Sequence, residues 1–266
     1  MAGGLKGAAI ETVKAKTVDL QVPAHAEIII EGELHPTEQM PEDTFGEFAG
    51  YVTPERRPRP FFHVTCITHR ASPIYYGYIS QYPPSESTMI QGQANECVIH
   101  RTLVDYFGEA TVTDVAMNQT HGGLLGHLVV QMKPMNPVHA KKVGRLVAEA
   151  TTVKTVTVVD PDIDIRHQQH LDMVMNARVN PARDIVILDD YFIPNDPSSR
   201  GGVTSKLVID ATEKGPYPDI SLPPKDLMWK AYESWREAKL PDFERPARVE
   251  RVLDYHADRM KSGDAP

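Results

Sequence analysis

The sequence has little of what marks secreted, membrane-spanning or nucleic-acid-binding proteins. It contains two cysteines in 266 residues, too few for a dense disulfide framework, and no apolar stretch approaches the ~18 to 20 residues of a spanning helix. It has no basic run, and 28 Lys and Arg against 36 Asp and Glu give a formal net charge of -8. Such a balance argues against a broad nucleic-acid or anionic-membrane surface. The start MAGGLKGAAI lacks the features of a secretory signal, so we expect a soluble protein of the reducing cytoplasm.

The residue pattern of the first hundred residues predicts mainly β-structure. AEIIIEG (26–32) and FFHVTCIT (61–68) are apolar runs rich in β-branched and aromatic residues, which is typical of strands. Between them, the prolines and glycines of residues 37–60 favour a loop followed by a short extended piece. Helical spacing of apolar residues then predicts a helix over 94–107.

Beyond residue 107 the pattern alternates between strands and helices, which is typical of an α/β domain. The predicted strands are residues 110–118, 124–132, 152–160 and 184–190, and the predicted helices are residues 136–152 and 167–179. The last residues carry two amphipathic helices, 225–240 and 247–261, which we expect to pack on their own domain or on a neighbouring subunit.

Two acidic segments are candidate sites. In PEDTFGEFAGY (41–51), Glu42 and Glu47 flank a turn, so both carboxylates can converge on one cavity as a proton-transfer dyad. From spacing alone, two solvated glutamates are the more common arrangement. In DPDID (160–164), the aspartates imitate the opening of a calcium loop, but Ile165 and Leu171 stand where that loop needs glycine and glutamate, which excludes calcium.

Five ordered segments resemble the UbiD family of prenylated-flavin-dependent decarboxylases. VPAHAEIIIEGELHPTEQMPEDTFGEFAGYV (22–52) is similar to the family's VPA-x-AE-x-x-x-EG to EGPFGE-x-x-GY signature. The others are ITHRASPIYY (67–76), VKTVTVVDPDIDIRH (153–167), NARVNPARDIVIL (176–188) and TSKLVIDAT (204–212). Five matches in the family's order, spread over nearly the whole chain, are far more specific than any one of them.

The resemblance implies an α+β fold: part of a flavin-binding split β-barrel followed by an α/β domain with a helical C-terminal tail. The expected boundaries are 1–93 for the back half of the barrel domain, 94–107 for a linking helix, 108–220 for the α/β domain and 221–266 for the tail. It also implies higher oligomers built through the α/β domain.

The resemblance further implies a decarboxylase, with carboxylation as the reverse reaction, that acts on an aromatic, heteroaromatic or α,β-unsaturated carboxylic acid. Glu47 matches the family's proton donor and acceptor, and Glu42 matches the carboxylate that pairs with an arginine. Lys154 resembles a lysine that approaches the cofactor, although a lysine at a strand edge is more often solvated. The sequence departs from the family at Asp43 and Thr44, which replace Gly and Pro.

No residue here matches the family's front half, which supplies most of the prenylated FMN site, that arginine, and the ligands for a divalent metal (Mn or Mg) and a potassium ion. We therefore expect a partner chain that carries this half, in a naturally split enzyme; a truncated form of a longer chain is the other explanation. Two other functions remain open: a non-catalytic structural or regulatory subunit, and a flavin-binding oxidoreductase.

Overall fold

The computed structural model describes residues 2–53, 57–79, 82–117, 126–215, 217–218, 221–242 and 249–254. The chain divides into two compact units, the first formed by residues 1–47 and 51–80 and the second by residues 48–50 and 81–266. Antiparallel strands dominate the first unit, whereas the second combines helices with a five-stranded sheet. The mixed α and β class predicted from the sequence is therefore confirmed.

The first unit contains two antiparallel strand pairs, which within the described residues do not close into a barrel. Its elements are α1 (Ala2–Lys6), β1 (Thr12–Lys14), β2 (Gln21–Pro23), β3 (Ile28–Glu42) and β4 (Arg57–His69). Strands β3 and β4 form a long ribbon whose register runs from Ile28 opposite His69 to Glu42 opposite Arg57. The register shifts at Gly32, where an added Cβ would lie 2.0 Å from the carbonyl oxygen of His63, so only glycine fits there.

The ribbon corrects the first part of the loop predicted for residues 37–60, because residues 37–42 belong to β3, whereas the extended piece expected at its end is the start of β4. Strand β3 continues through Pro36 and Pro41, and β4 begins with Pro58 and Pro60 already inside it. Pro41 lies opposite Pro58 in the register. In a two-stranded ribbon each strand has an unpaired edge, so the N–H that proline lacks need not be one the partner strand requires.

The buried carboxylate of Glu31 attaches β3 to the turn between β1 and β2. It accepts hydrogen bonds from the backbone N–H groups of Lys16 at 2.9 Å and Thr17 at 2.6 Å, and from the Thr17 hydroxyl at 2.9 Å. These hydrogen bonds, led by those from the backbone, lower the pKa of Glu31 because they stabilise its charged form. One side chain thereby fixes a turn some fifteen residues away in the chain.

The second unit is built on a sheet in the order β5-β6-β7-β9-β8. Strands β6, β7 and β9 are parallel, while β5 and β8 are antiparallel at the edges. Its elements are α2 (Glu86–Arg101), a π-helical turn (Thr102–Tyr106), β5 (Val112–Met117), β6 (His127–Met132), α3 (His139–Ala150), β7 (Thr155–Val159), α4 (Gln168–Arg178), α5 (Pro181–Asp184), β8 (Ile185–Phe192), β9 (Val203–Asp210) and α6 (Lys225–Glu237).

Two hydrophobic clusters cover the two faces of this sheet, because alternate residues of a strand point to opposite sides. On β6, Leu128 and Val130 belong to the cluster that contains α3, and Val129 belongs to the cluster that contains α4. Helix α3 packs so closely that a Cβ on Gly144 would lie 2.5 Å from Val208. Helices on both faces of a largely parallel sheet are the α/β arrangement predicted from the sequence.

Helix α2 begins earlier than the predicted residue 94. Ser85 caps it: the Ser85 side chain accepts the Thr88 N–H, and the Thr88 hydroxyl accepts the Ser85 N–H. This is a capping box with threonine in place of the usual Glu or Gln, so the standard sequence signature does not detect it.

The tail contains α6, which has no buried residue, and a helical stretch over residues 249–254. The rest of the helix predicted for 247–261 lies outside the described residues. None of the helices in the described ranges combines the length and the apolar character needed to cross a bilayer.

Candidate active site

Glu42 is the last residue of β3, and its carboxylate lies beside an arginine of the same ribbon. Its Oε2 is 3.6 Å from Nε of Arg59 on β4, and about half of each side chain is exposed. The resemblance implied an arginine outside this chain as the partner of Glu42, so the sequence did not identify Arg59. The sequence feature that could have identified Arg59 is RPR at 57–59, because alternate residues of a strand lie on one face and Arg57 and Arg59 therefore share a face of β4.

Glu47 lies on the turn that follows β3, and backbone hydrogen bonds hold this turn in place. Its N–H donates to the Tyr51 carbonyl at 2.8 Å, and next to this pair Gly46 and Val52 form a β-bridge. Gly50 has a φ of 86°, a left-handed conformation that glycine adopts without strain. The chain therefore reverses direction between Glu47 and Tyr51.

The Glu47 side chain is half-buried, and within the described part of the chain its carboxylate has no ion-pair or hydrogen-bond partner. No hydrogen bond joins it to Glu42 among these residues. The structure thus places one carboxylate beside a cation and leaves the other available on an ordered turn. A carboxylate without a competing partner can exchange a proton with a molecule placed next to it.

Asp43, where the sequence departs from the family signature, is exposed. Its Oδ1 accepts the Thr44 backbone N–H at 2.8 Å. The aspartate therefore shapes the start of the turn that leads from Glu42 to Glu47.

Lys154 lies directly before β7, and its ammonium group is held by the loop between β8 and β9. The Nζ atom donates to Asp196 Oδ2 at 2.7 Å and to Ser198 Oγ at 2.6 Å. Burial by itself raises the pKa of Asp196, but hydrogen bonds, led by that from Lys154, outweigh it and lower the pKa to about 2. An ammonium group has three hydrogens, so Lys154 has one left for another partner.

The DPDID segment forms a buried ion-pair cluster. Arg178 on α4 donates to Asp162 at 2.6 and 3.1 Å and to Asp160 at 3.0 Å, and its Nη2 is 3.2 Å from Oε1 of Glu213. Among the described residues, no three His, Cys, Asp or Glu side chains are grouped to hold a metal ion. The sequence analysis did not identify Arg178 as the cation that pairs with these aspartates, although Arg178 lies in the segment NARVNPARDIVIL.

Comparisons with known proteins match both units. Residues 1–83 match the family model of the 3-octaprenyl-4-hydroxybenzoate carboxy-lyase Rift-related domain (UbiD), and residues 92–211 match the C-terminal domain of the same enzymes. An uncharacterized protein of Archaeoglobus fulgidus is 34% identical over 225 residues, which are 80% of this chain and 44% of the relative.

Solved structures of enzymes that include UbiD-class members are also similar to this chain. The UbiD-class enzyme HmfF of Pelotomaculum thermopropionicum, in complex with FMN, is 33% identical with a TM-score of 0.73, over 87% of this chain and 52% of HmfF. An evolved dimeric form of HmfF, in complex with prFMN, is 32% identical with a TM-score of 0.68, over 85% of this chain and 49% of that one. Vanillic acid decarboxylase of Sedimentibacter hydroxybenzoicus, in open form, is 27% identical with a TM-score of 0.72, over 89% of this chain and 52% of the decarboxylase chain. The chain thus spans about half the length of these relatives.

Proposed function

Because this chain belongs to the UbiD family of carboxy-lyases, we propose that it forms part of a prenylated-FMN-dependent decarboxylase. The substrate is an aromatic, heteroaromatic or α,β-unsaturated carboxylic acid, and net decarboxylation is the expected direction. HmfF in complex with FMN and its evolved form in complex with prFMN support the flavin, and vanillic acid decarboxylase supports the aromatic substrate.

The observation that carries this proposal is the half-buried carboxylate of Glu47 on its hydrogen-bonded turn, which has no ion-pair or hydrogen-bond partner among the described residues. When the bond from the substrate carbon to its carboxylate breaks, the electron pair stays on that carbon, and the bound prenylated flavin supplies the electron sink. Glu47 in its acid form then delivers a proton from its carboxyl oxygen to the carbon. In the carboxylation direction its carboxylate takes the proton back.

The side chains around this turn fit one wall of a flavin site. Phe45 and Tyr51 expose aromatic surface on the same turn as Glu47, which suits the apolar ring system of a flavin. Arg59 pairs with Glu42 at the end of the ribbon. For Lys154, a role toward the cofactor stays a prediction, and the contacts with Asp196 and Ser198 leave it one ammonium hydrogen for such a partner.

We infer that the remaining part of the site comes from polypeptide outside these 266 residues, in a larger assembly. Ile30, Ile67 and Tyr76 of the first unit are each more than half exposed, which is the apolar surface that an adjoining segment would cover. We place the ligands for the divalent metal and the potassium ion on that segment as well.

The experiment is substitution of Glu47→Gln in the complete enzyme, supplied with prenylated FMN and tested on vanillate, 2-furoate and cinnamate. Removing a general acid typically lowers turnover by ~10²- to 10⁴-fold. Glu38→Gln is the matched control, because Glu38 lies on the same ribbon and, in the part of the chain that the structure describes, pairs only with the exposed His63. If Glu47→Gln retained full turnover, this chain would instead be a non-catalytic structural or regulatory subunit. Flavin-dependent oxidation of a reduced nicotinamide, without release of carbon dioxide, would indicate an oxidoreductase.

A further inference from the structure

The second unit contains a cavity of about 440 Å³ at the carboxyl-terminal edge of its parallel strands. Its wall consists of residues 133–137 after β6, Asp160 after β7 and residues 212–215 after β9. Since β6, β7 and β9 run in the same direction, their carboxyl ends meet at this edge. The volume falls within the ~300–1,000 Å³ typical of small-molecule sites.

The cavity also lies where the sheet changes the side of its connections. Helix α3 follows β6 and packs on one face, whereas α4 follows β7 and packs on the other. The two chain segments that leave β6 and β7 therefore diverge and open a crevice between them. Ligands of open α/β sheets bind in this kind of crevice, outside the carboxyl ends of the strands.

Charges on the wall indicate what the cavity accepts. Lys214 is engaged by the carbonyl oxygens of Asp210 and Thr212, each at 2.7 Å, and by the Asp210 carboxylate at 3.2 Å. Lys133 is exposed, and within the described residues its ammonium has no ion-pair or hydrogen-bond partner. Of the two wall lysines, Lys133 is thus the one whose charge is available to a ligand.

We propose that this cavity binds a small organic monocarboxylate, with its carboxylate at Lys133 and its apolar body against Pro134, Met135 and Pro137. A single available ammonium group matches a single negative charge. A phosphate carries about 1.5 to 2 charges and three strong acceptor oxygens, so it requires more donors than this wall offers. The proposal does not depend on the decarboxylase function, because it concerns binding to this chain without any cofactor.

Asp160 supports the proposal as a polar group of the wall that is 4% exposed. Its Oδ2 accepts hydrogen bonds from Arg178 and from the Glu213 N–H, and the carboxylates of Asp162 and Glu213 lie near it. Burial raises the pKa of Asp160 to about 7, although Arg178 opposes this rise. Near neutral pH much of Asp160 is therefore the neutral acid, which does not repel a carboxylate.

The test is a titration of the full chain, carrying carbon-13 labels on its methionine methyl groups, with benzoate, benzamide and inorganic phosphate. We expect benzoate to shift the Met135 methyl signal saturably, while benzamide, which is neutral and of the same shape, and phosphate do not. Reversing the charge with Lys133→Glu weakens benzoate by about tenfold or more, since ~1.4 kcal/mol corresponds to tenfold. Lys230→Glu on α6 is the control and leaves the affinity unchanged.

The pH dependence gives a second readout. Benzoate affinity falls from about pH 6 to about pH 8 as Asp160 ionises, and Asp160→Asn makes it flat. The proposal is overturned if benzoate at about 20 mM leaves the Met135 signal in place, or if benzamide shifts it equally. Unchanged binding by Lys133→Glu, or phosphate binding more tightly than benzoate, overturns it as well.

Discussion

The ion-pair cluster around Arg178 allows the stability of the second unit to be tested. The Arg178 side chain is 6% exposed, and its guanidinium is shared by three carboxyl groups, of which Asp162 is fully buried and accepts two of its hydrogen bonds. Arg178→Met keeps most of the side chain's length and apolar bulk but removes the cation. Taking one partner from a buried ion pair typically costs ~3–5 kcal/mol, because charge remains in a site that water cannot reach.

We therefore expect Arg178→Met to lower the free energy of unfolding by about 3–5 kcal/mol at pH 8. The loss shrinks as the pH falls toward 5. Without the cation, the pKa of Asp160, which burial already raises, rises further, so Asp160 takes up a proton in the folded variant and no longer adds a buried charge.

Urea unfolding followed by circular dichroism measures the effect. With m near ~3 kcal/mol/M, the predicted loss moves the midpoint by about 1 M or more. Arg145→Met is the matched control, because the Arg145 side chain is 56% exposed and, over the described ranges, forms only an i,i+4 pair with Glu149, which contributes ~0.3–0.5 kcal/mol. If the two variants lost the same small amount at pH 8, the reasoning about the buried cluster would be refuted.

Three further predictions concern single side chains. The folded-state pKa of Asp160, about 7, lies above its ordinary value of 3.8. Between these pH values the folded protein binds one more proton than the unfolded protein, so the free energy of unfolding falls as the pH rises. Asp160→Asn should remove this pH dependence, measured by urea unfolding at several pH values. Lys154→Met should lower the free energy of unfolding by ~1.5–3 kcal/mol, which is what a hydrogen bond to a charged group contributes. It should also speed hydrogen exchange at the Ser198 N–H, whose hydrogen bond Asp196 accepts. Unchanged exchange would contradict the role of Lys154 in holding the loop. Arg59→Ala should change the free energy of unfolding by less than ~1 kcal/mol, because the pair with Glu42 is half exposed. It should lower the decarboxylation rate by at most about fivefold. A loss of turnover as large as that from Glu47→Gln would show that Arg59 does more than pair with Glu42.

Much of the secondary structure could be predicted because side-chain periodicity reports burial locally. The strands and helices predicted between residues 110 and 190 lie where their patterns indicate, since each buries one face or stripe against the sheet, whereas β9 was not predicted as a strand. The prediction failed over residues 37–42, where Pro41 suggested a loop but β3 continues to Glu42, while the extended piece expected at the end of this segment is the start of β4. Whether a proline interrupts a strand depends on which edge is paired, and that is a property of the partner strand.

The candidate site was predictable only in part. Glu42 and Glu47 follow from the quoted segment PEDTFGEFAGY, and the structure adds that Glu47 sits on a hydrogen-bonded turn. Lys154 was expected to approach a cofactor, and that remains a prediction. Its contacts with Asp196 and Ser198 span more than forty residues, a separation at which spacing carries no information.

By itself, the amino-acid sequence determined most of the strands and helices of the second unit, and that the acidic turn belongs to a family of carboxy-lyases. These properties follow from side chains a few positions apart and from matched motifs. Only the tertiary structure decided that Arg59 pairs with Glu42, that Arg178 hydrogen-bonds Asp160 and Asp162, and that a cavity opens between the ends of β6 and β7. Such contacts join residues far apart in the chain, so they depend on strand register and on which face of the sheet each helix covers.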